Sequence, residues 1–151
     1  MKQLTWWMRI VGTFYVFLFV AAAFLRLPIQ AEGPEGVLAL AASGDTLARF
    51  VVDTWVVLGL VLGTIGFALL VASRIPMKST ALVWMVIGNE LFWGIGSDLY
   101  KLARGYPLDV SGPWILIHTL IILSGLLALR KLPSAMGQDH SSSTDERATR
   151  V

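Results

Sequence analysis

Long apolar runs constrain the fold of this chain more than any other feature of its sequence. The clearest run covers residues 54–73 and contains no charged side chain. The hydrocarbon core of a bilayer is about 30 Å thick, a distance that a helix of roughly 20 apolar residues crosses. A soluble protein could hide such a run only against a very large partner. The run therefore predicts a helix that spans a membrane.

Three further segments are similar, and composition supports the same conclusion. The predicted spans cover about residues 4–25, 50–73, 80–100 and 113–130, and Pro113 is expected in the first turn of the last one. Only 15% of the 151 residues are charged, against roughly 25% in a typical soluble domain. The sequence thus predicts an all-α, integral membrane four-helix bundle over residues 1–132. A polar, Ser/Thr-rich tail over residues 133–151 is expected to be disordered in the cytoplasm.

The loop between the first two spans, residues 26–49, is long enough for structure of its own. The string Gly33-Pro34-Glu35 is typical of a helix start, and Ser43-Gly44 of a helix end. The apolar stripe between them predicts a short interfacial helix that lies on the outer membrane surface. Asp45 is then expected to cap a helix that begins at Thr46.

The basic residues predict the orientation. Eight lie on the side of the two termini and four on the other: Lys2, Arg9, Arg74, Lys78, Arg130, Lys131, Arg147 and Arg150, against Arg26, Arg49, Lys101 and Arg104. The positive-inside rule therefore places both termini in the cytoplasm of a multi-pass cell-membrane protein. One alternative stays open, because residues 1–23 also resemble a cleavable signal peptide, whose removal would leave three spans.

Several classes of function find no support in the sequence. There is no cysteine, so disulfides and thiolate metal sites are excluded. A net charge of +2 gives no basic face for nucleic acid. The chain has no phosphate-binding loop, dinucleotide fingerprint or nucleophile elbow, and its one mid-span histidine lacks the partners of a metal ligand set. We expect no cofactor and no metal.

Ionisable residues inside a membrane are the most informative ones, because burying a charge in lipid is costly. Glu90 lies about ten residues into the third span, close to the middle of the bilayer. Helical spacing turns Asp98 the same way, and His118 enters from the outer end of the fourth span. With Asp53 near the outer end of the second span, these residues are predicted to line one cavity that opens outward. Its apolar wall would include Trp93, Trp55 and Phe92.

A structural role competes with this interpretation. Arg9 could reach toward Glu90 and lock two helices together as an ion pair, or extend toward the headgroups. His118 could simply bond to a neighbouring helix, and Asp53 and Asp98 could be solvated charges at helix ends. The sequence leaves these alternatives open.

Gly59, Gly63 and Gly66 form a stripe of small residues on the second span. Such a stripe lets another helix approach closely. It predicts helix packing, either within the bundle or against a second copy or another membrane protein. Gly94 and Gly96 would act similarly on the third span or leave space beside Glu90.

Three segments resemble the BphX-like family of small bacterial membrane proteins: Gly33 to Gly36 with Ala48 to Trp55, Glu90 to Tyr106, and Trp114 to His118. The resemblance covers roughly residues 5–131 and implies four membrane helices. The architecture is also similar to that of DoxX-type proteins. The family implies no established activity and no catalytic residues.

Three functions fit these observations. The first is a non-enzymatic protein that binds or passes a small hydrophobic compound. The second is a membrane scaffold or accessory subunit that packs through its glycine stripe. The third is an intramembrane isomerase or cyclase in which Glu90 donates a proton. The sequence favours a non-enzyme whose partners are the lipid bilayer, a small hydrophobic ligand and either a second copy or another membrane protein.

Overall fold

A computed structural model of the protein describes residues 2–25 and 36–132, which are almost entirely helical and contain no β-strand. Both the string at residues 33–35 and the tail at residues 133–151 lie outside the described residues. The α-helices are α1 Lys2–Ala23, α2 Val37–Ser43, α3 Thr46–Ala72, α4 Thr80–Asn89, α5 Gly96–Ala103 and α6 Leu108–Arg130. A 3₁₀ turn at Pro76–Ser79 lies between α3 and α4, and a π-helical turn at Glu90–Ile95 lies between α4 and α5.

Three of these helices are long and apolar enough to cross a membrane. They are α1, α3 and α6, with mean hydropathies of 1.5, 2.4 and 1.9 over their most apolar windows. Much of their surface is exposed apolar side chains, such as Phe17 at 59% and Phe67 at 67%. Water would disfavour such a surface, whereas lipid tails would not. These helices suggest a membrane protein.

The third predicted span is helical but is not one α-helix. α4, the π turn and α5 follow one another without a break from Thr80 to Ala103. The π turn begins at Glu90, the residue that the sequence singles out at mid-membrane depth. A π turn contains one residue more than an α-helical turn and often occurs at functional sites.

The boundaries of α2 and α3 agree with the expected caps. α2 ends at Ser43, and Gly44 follows in the left-handed conformation at φ 104°, which glycine adopts without strain. The Asp45 side chain accepts a hydrogen bond from the Ala48 backbone nitrogen at 2.8 Å. The predicted N-cap of α3 is therefore confirmed.

The predicted start of α6 is wrong. The helix begins at Leu108, with Pro107 as its N-cap residue, so Pro113 lies inside the helix and not in its first turn. The sequence contains two prolines that could begin the helix, and the earlier one does so. Pro113 lacks an N–H group, so the carbonyl of Asp109 loses its helical partner.

The glycine stripe of α3 faces α1. A Cβ atom added at Gly59 would lie 2.8 Å from Ala22 Cβ, and one at Gly63 would lie 2.8 Å from Phe19 Cγ. At Gly66 the added atom would lie 2.7 Å from the backbone oxygen of Gly12. The two helices therefore touch almost backbone to backbone along this stripe.

The apolar core lies toward one end of the molecule, which we call the terminal end because α1 begins and α6 ends there. Trp7 anchors α1 to α6 at this end: its indole nitrogen donates to the Ile121 carbonyl at 3.2 Å and to Ser124 Oγ at 3.1 Å. The fully buried side chains around it are Leu4, Met8, Leu69, Val83 and Val86. The other end, where α2 and the α5–α6 connection lie, is more open.

Candidate functional site

A cavity of about 440 Å³ lies between the helices on the open side of the core. Its walls come from α1, α3, the π turn, α5 and α6. Most of the lining is apolar, and the polar groups gather on the side of the π turn and α5. The lining residues are Phe14, Tyr15, Phe17, Leu18, Ala21, Ala22, Trp55, Leu58, Gly59, Leu62, Glu90, Trp93, Ser97, Asp98, Lys101, Trp114 and His118.

Glu90 is the centre of the polar side, and its side chain is only 3% exposed. One carboxylate oxygen, Oε1, accepts a hydrogen bond from the Tyr15 hydroxyl of α1. The other, Oε2, lies 2.5 Å from His118 Nδ1 of α6. A buried carboxylate is tolerated only when such partners replace water. Glu90 therefore joins three helical segments through one carboxylate.

Asp98 extends the polar side by about two helical turns. Its Oδ1 accepts from Lys101 Nζ at 2.8 Å, and its Oδ2 lies 3.6 Å from His118 Nε2. Asp98 is 2% exposed, and Oδ2 is a buried oxygen with no hydrogen-bond partner among the described residues. The imidazole thus lies between two carboxylates, and Asp98, which lines the cavity, has one buried oxygen that lacks a hydrogen bond within the described part of the chain.

The π turn explains why Glu90 and Asp98 share a face. Eight positions along an α-helix turn through about 800°, which leaves the second side chain about 80° past two full turns. One extra residue in the π turn removes roughly 100° of that rotation, so the two side chains differ by only about 20°. Both carboxylates can therefore flank the ring of His118.

Gly94 provides the space for that ring. A Cβ atom at this position would lie 2.5 Å from His118 Nδ1 and 2.8 Å from its Cε1 and Cγ atoms. Any side chain here would push the imidazole away from Glu90. The absence of a side chain at Gly94 therefore places His118 between the two carboxylates.

The structure brings together five of the seven residues that the sequence predicted for the cavity, and Trp55 is one of them. The other four are Glu90, Asp98, His118 and Trp93. Tyr15 was missed, although a hydroxyl in the middle of an apolar span is itself a signal of buried hydrogen bonding. Lys101 entered the sequence analysis only as a basic residue that sets the orientation, and its contact with Asp98 was not predicted.

The other predicted positions lie elsewhere. Asp53 is on the exposed side of α3 and does not line the cavity. Arg9 is exposed, and its contacts are not those of the alternative in which it pairs with Glu90: its Nε lies 3.4 Å from Ser73 Oγ, and its guanidinium lies 5.9 Å from the centre of the Trp6 ring. Arg9 lies about 9 Å before Tyr15 along the helix. Its side chain points away from the core, so its charge stays near the surface. Phe92 is 81% exposed and outside the cavity.

The chemistry of the site is that of hydrogen bonding inside an apolar space. Within residues 2–25 and 36–132, no group of three acidic or histidine side chains is arranged to hold a metal ion. Asp98 has an oxygen without a hydrogen bond on the polar side of the cavity, and the indole rings of Trp55, Trp93 and Trp114 offer flat apolar surfaces.

Comparisons with known proteins show the family of this chain. The model of the BphX-like family matches residues 1–134. An uncharacterized BphX-like protein of Burkholderia cepacia and another of Paraburkholderia xenovorans strain LB400 are each 29% identical over 138 residues, which is 89% of this chain and 96% of each relative. No solved structure matches the chain. The length of the family match shows that this protein belongs to the BphX-like family.

Proposed function

We propose that this protein is a four-helix integral membrane protein that binds a small, mostly apolar compound in the cavity beside Glu90. The observation that carries the proposal is that Asp98 lines a mostly apolar cavity while its buried Oδ2 has no hydrogen bond to the described residues. A buried acceptor without a partner costs free energy, and a ligand that donates a hydrogen bond to it would recover that cost. The expected ligand has an apolar skeleton and one donor group.

The charges of the site favour a neutral donor. Asp98 already has a cationic partner in Lys101, and Glu90 is occupied by Tyr15 and His118. An anionic ligand would meet two carboxylates, and an ammonium group would meet Lys101. A hydroxyl group avoids both repulsions.

The closed core supports binding rather than passage through the protein. On the terminal side of Glu90 the space is filled by Met8, Val83 and Val86, each 0% exposed. A compound could enter the cavity from the open side, but it would have to unpack these side chains to leave at the other end. We therefore propose a binding site with access from one side.

The glycine stripe gives less support to a scaffold. A partner that docked on Gly59, Gly63 and Gly66 would compete with α1, which already contacts all three positions within 3 Å of an added Cβ atom. α1 also supplies Tyr15 to the site. For the same reason we propose that α1 remains part of the working protein as a resident span.

The membrane topology is part of the same proposal. The segment from Thr80 to Ala103 lies antiparallel to α3 across the short turn at Pro76–Ser79 and would be the fourth membrane helix. Its buried carboxylates, Glu90 and Asp98, face the cavity and His118 of α6, so they would be shielded from lipid. α2 would lie at the outer surface, and both termini would be cytoplasmic.

Reporter fusions test this topology. A reporter that is active only in the cytoplasm, fused after Val151, should be active, and the same reporter inserted at Asp45 should be silent. The reason is the eight-to-four asymmetry of basic residues between the two sides. A silent fusion at Val151 would reverse the orientation or point to an odd number of spans.

Ligand binding is testable with matched probes that share one rigid skeleton. Adamantan-1-ol should raise the melting temperature of the purified protein more than adamantane does, and adamantane-1-carboxylate should have no effect. At a probe concentration of roughly 100 times Kd, binding contributes about 2.7 kcal/mol, which is a shift of about 5 °C or more for a chain of this size.

A pair of leucines on α3 provides the control for this experiment. Leu58 lines the cavity, whereas Leu60 is 50% exposed on the outside of the helix. Leu58→Trp should fill the cavity and abolish the shift, and Leu60→Trp should retain it. Equal shifts in both variants would place the probe outside the cavity and refute the site.

A further inference from the structure

A second cavity lies on the opposite side of the core, outside the site described above. It is an open groove of about 570 Å³ between α1 and α6 at the terminal end. Its floor is apolar and is formed by residues such as Ile10, Val11, Leu120 and Leu127. Lys2 and Lys131 line its mouth, where α1 begins and α6 ends. The groove therefore combines a long apolar floor with two cations at one end.

Among the residues that the structure describes, the charged side chains at this end are all basic. The described basic residues near it are Lys2, Arg9, Arg74, Lys78, Arg130 and Lys131. The described acidic residues lie either at the level of Glu90 or toward the opposite end of the molecule. The Arg9 guanidinium lies over the ring of Trp6, which also lines the groove. Within residues 2–25 and 36–132, no carboxylate lines the groove beside its lysines. An anionic group is thus the electrostatic complement of the mouth.

The length of the groove fits one leaflet of a bilayer. From Lys2 to Ile10 the helix rises about 12 Å, and from Leu120 to Lys131 about 16 Å. Half of a hydrocarbon core of about 30 Å is about 15 Å. A phospholipid whose phosphate lies at the lysines would therefore place an acyl chain along the whole apolar floor.

We propose that this groove is a binding site for an anionic phospholipid, with the headgroup phosphate between Lys2 and Lys131 and one acyl chain against α1 and α6. The proposal rests on the membrane location proposed above but not on ligand binding in the cavity beside Glu90. Anionic lipids are concentrated in the cytoplasmic leaflet, where basic clusters beside membrane helices attract them. The lipid would also cover the interface that Trp7 holds together.

Native mass spectrometry of the full-length protein tests the proposal, with equal amounts of dioleoyl phosphatidylglycerol and dioleoyl phosphatidylcholine in the detergent. The wild type should retain phosphatidylglycerol at least about tenfold more often. The double variant Lys2→Gln/Lys131→Gln should lose about 20-fold in affinity for phosphatidylglycerol, because each lysine contributes about fivefold near a membrane surface. Dihexanoyl phosphatidylglycerol should bind more weakly than the dioleoyl lipid, because its chains are too short to fill the groove.

The matched control is Arg74→Gln/Lys78→Gln, which removes the same charge from the same end without touching the groove. It should keep the preference for phosphatidylglycerol. Equal loss in both double variants would show general charge attraction and overturn the site. An unchanged preference in Lys2→Gln/Lys131→Gln would overturn it too, as would a dimer mass that replaces the lipid-bound monomer. Failure of adamantan-1-ol to bind would refute only the other cavity.

Discussion

Replacing Gly66 by alanine is expected to lower the free energy of unfolding by about 1–3 kcal/mol, the usual cost of overpacking. The added Cβ atom would lie 2.7 Å from Gly12 O, 2.9 Å from Tyr15 Cβ and 2.9 Å from the Val16 nitrogen. None of these atoms can move away by a side-chain rotation, so α1 itself must shift. The loss should occur although alanine favours a helix over glycine by up to about 1 kcal/mol. Unfolding in mixed micelles with increasing denaturing detergent measures the difference.

Gly88 provides the control on another helix. No atom lies within 4 Å of a Cβ added there, so Gly88→Ala should be neutral or stabilising by up to about 1 kcal/mol. The displaced α1 would also carry Tyr15 away from Glu90, so Gly66→Ala should weaken the binding of adamantan-1-ol. A Gly66→Ala protein as stable as Gly88→Ala would contradict the close packing of α1 on α3.

Features that depend on neighbouring residues in the chain were predictable from the sequence. The charge-free run of the second span, the cap at Asp45 and the end of α2 at Gly44 are all set by local chemistry. Each of these features depends only on residues of its own segment. They are an apolar helix of more than 20 residues, a carboxylate that accepts a hydrogen bond from a free N–H group, and a glycine with positive φ.

Contacts between helices were predictable only in part. Glu90, Asp98 and His118 could be grouped because polar side chains in a membrane avoid lipid and face one another. Tyr15 could not be recognised as a partner of Glu90, because its position depends on how α1 is rotated about its own axis. That rotation is set by the contact of Gly12 with Gly66, which is a property of two helices together.

The π turn was the main feature that the sequence did not reveal. α-Helical periodicity already brings Glu90 and Asp98 to within about 80° of each other, so the pattern does not demand the extra residue that reduces this angle to about 20°. The turn becomes explicable only when His118 is present, because the ring packs against Gly94 and lies between both carboxylates. Glycine at positions 94 and 96 is the one local feature that is consistent with it.

Replacing Glu90 by leucine should have the largest effect on stability of any change at the site. The substitution leaves the Tyr15 hydroxyl and the Nδ1 atom of His118 without their buried partner. An unsatisfied buried polar group costs about 1–3 kcal/mol, so the free energy of unfolding should fall by roughly 3–5 kcal/mol. Glu90→Gln should lose less, because its amide oxygen still accepts from Tyr15. Asp53→Asn changes an exposed carboxylate and should stay within about 0.5 kcal/mol of the wild type.

Rescue experiments identify the true partners of Glu90. If Tyr15 and His118 hold its carboxylate, then adding Tyr15→Phe and His118→Leu to Glu90→Leu should recover much of the lost stability, because the two polar groups that Glu90→Leu leaves unpaired are then gone. Adding Arg9→Met should recover nothing, because Arg9 contacts Ser73 and Trp6 instead. The same detergent titration measures all five proteins. Rescue by Arg9→Met, or a Glu90→Leu protein as stable as Asp53→Asn, would show that the hydrogen bonds from Tyr15 and His118 do not hold Glu90 in the folded protein.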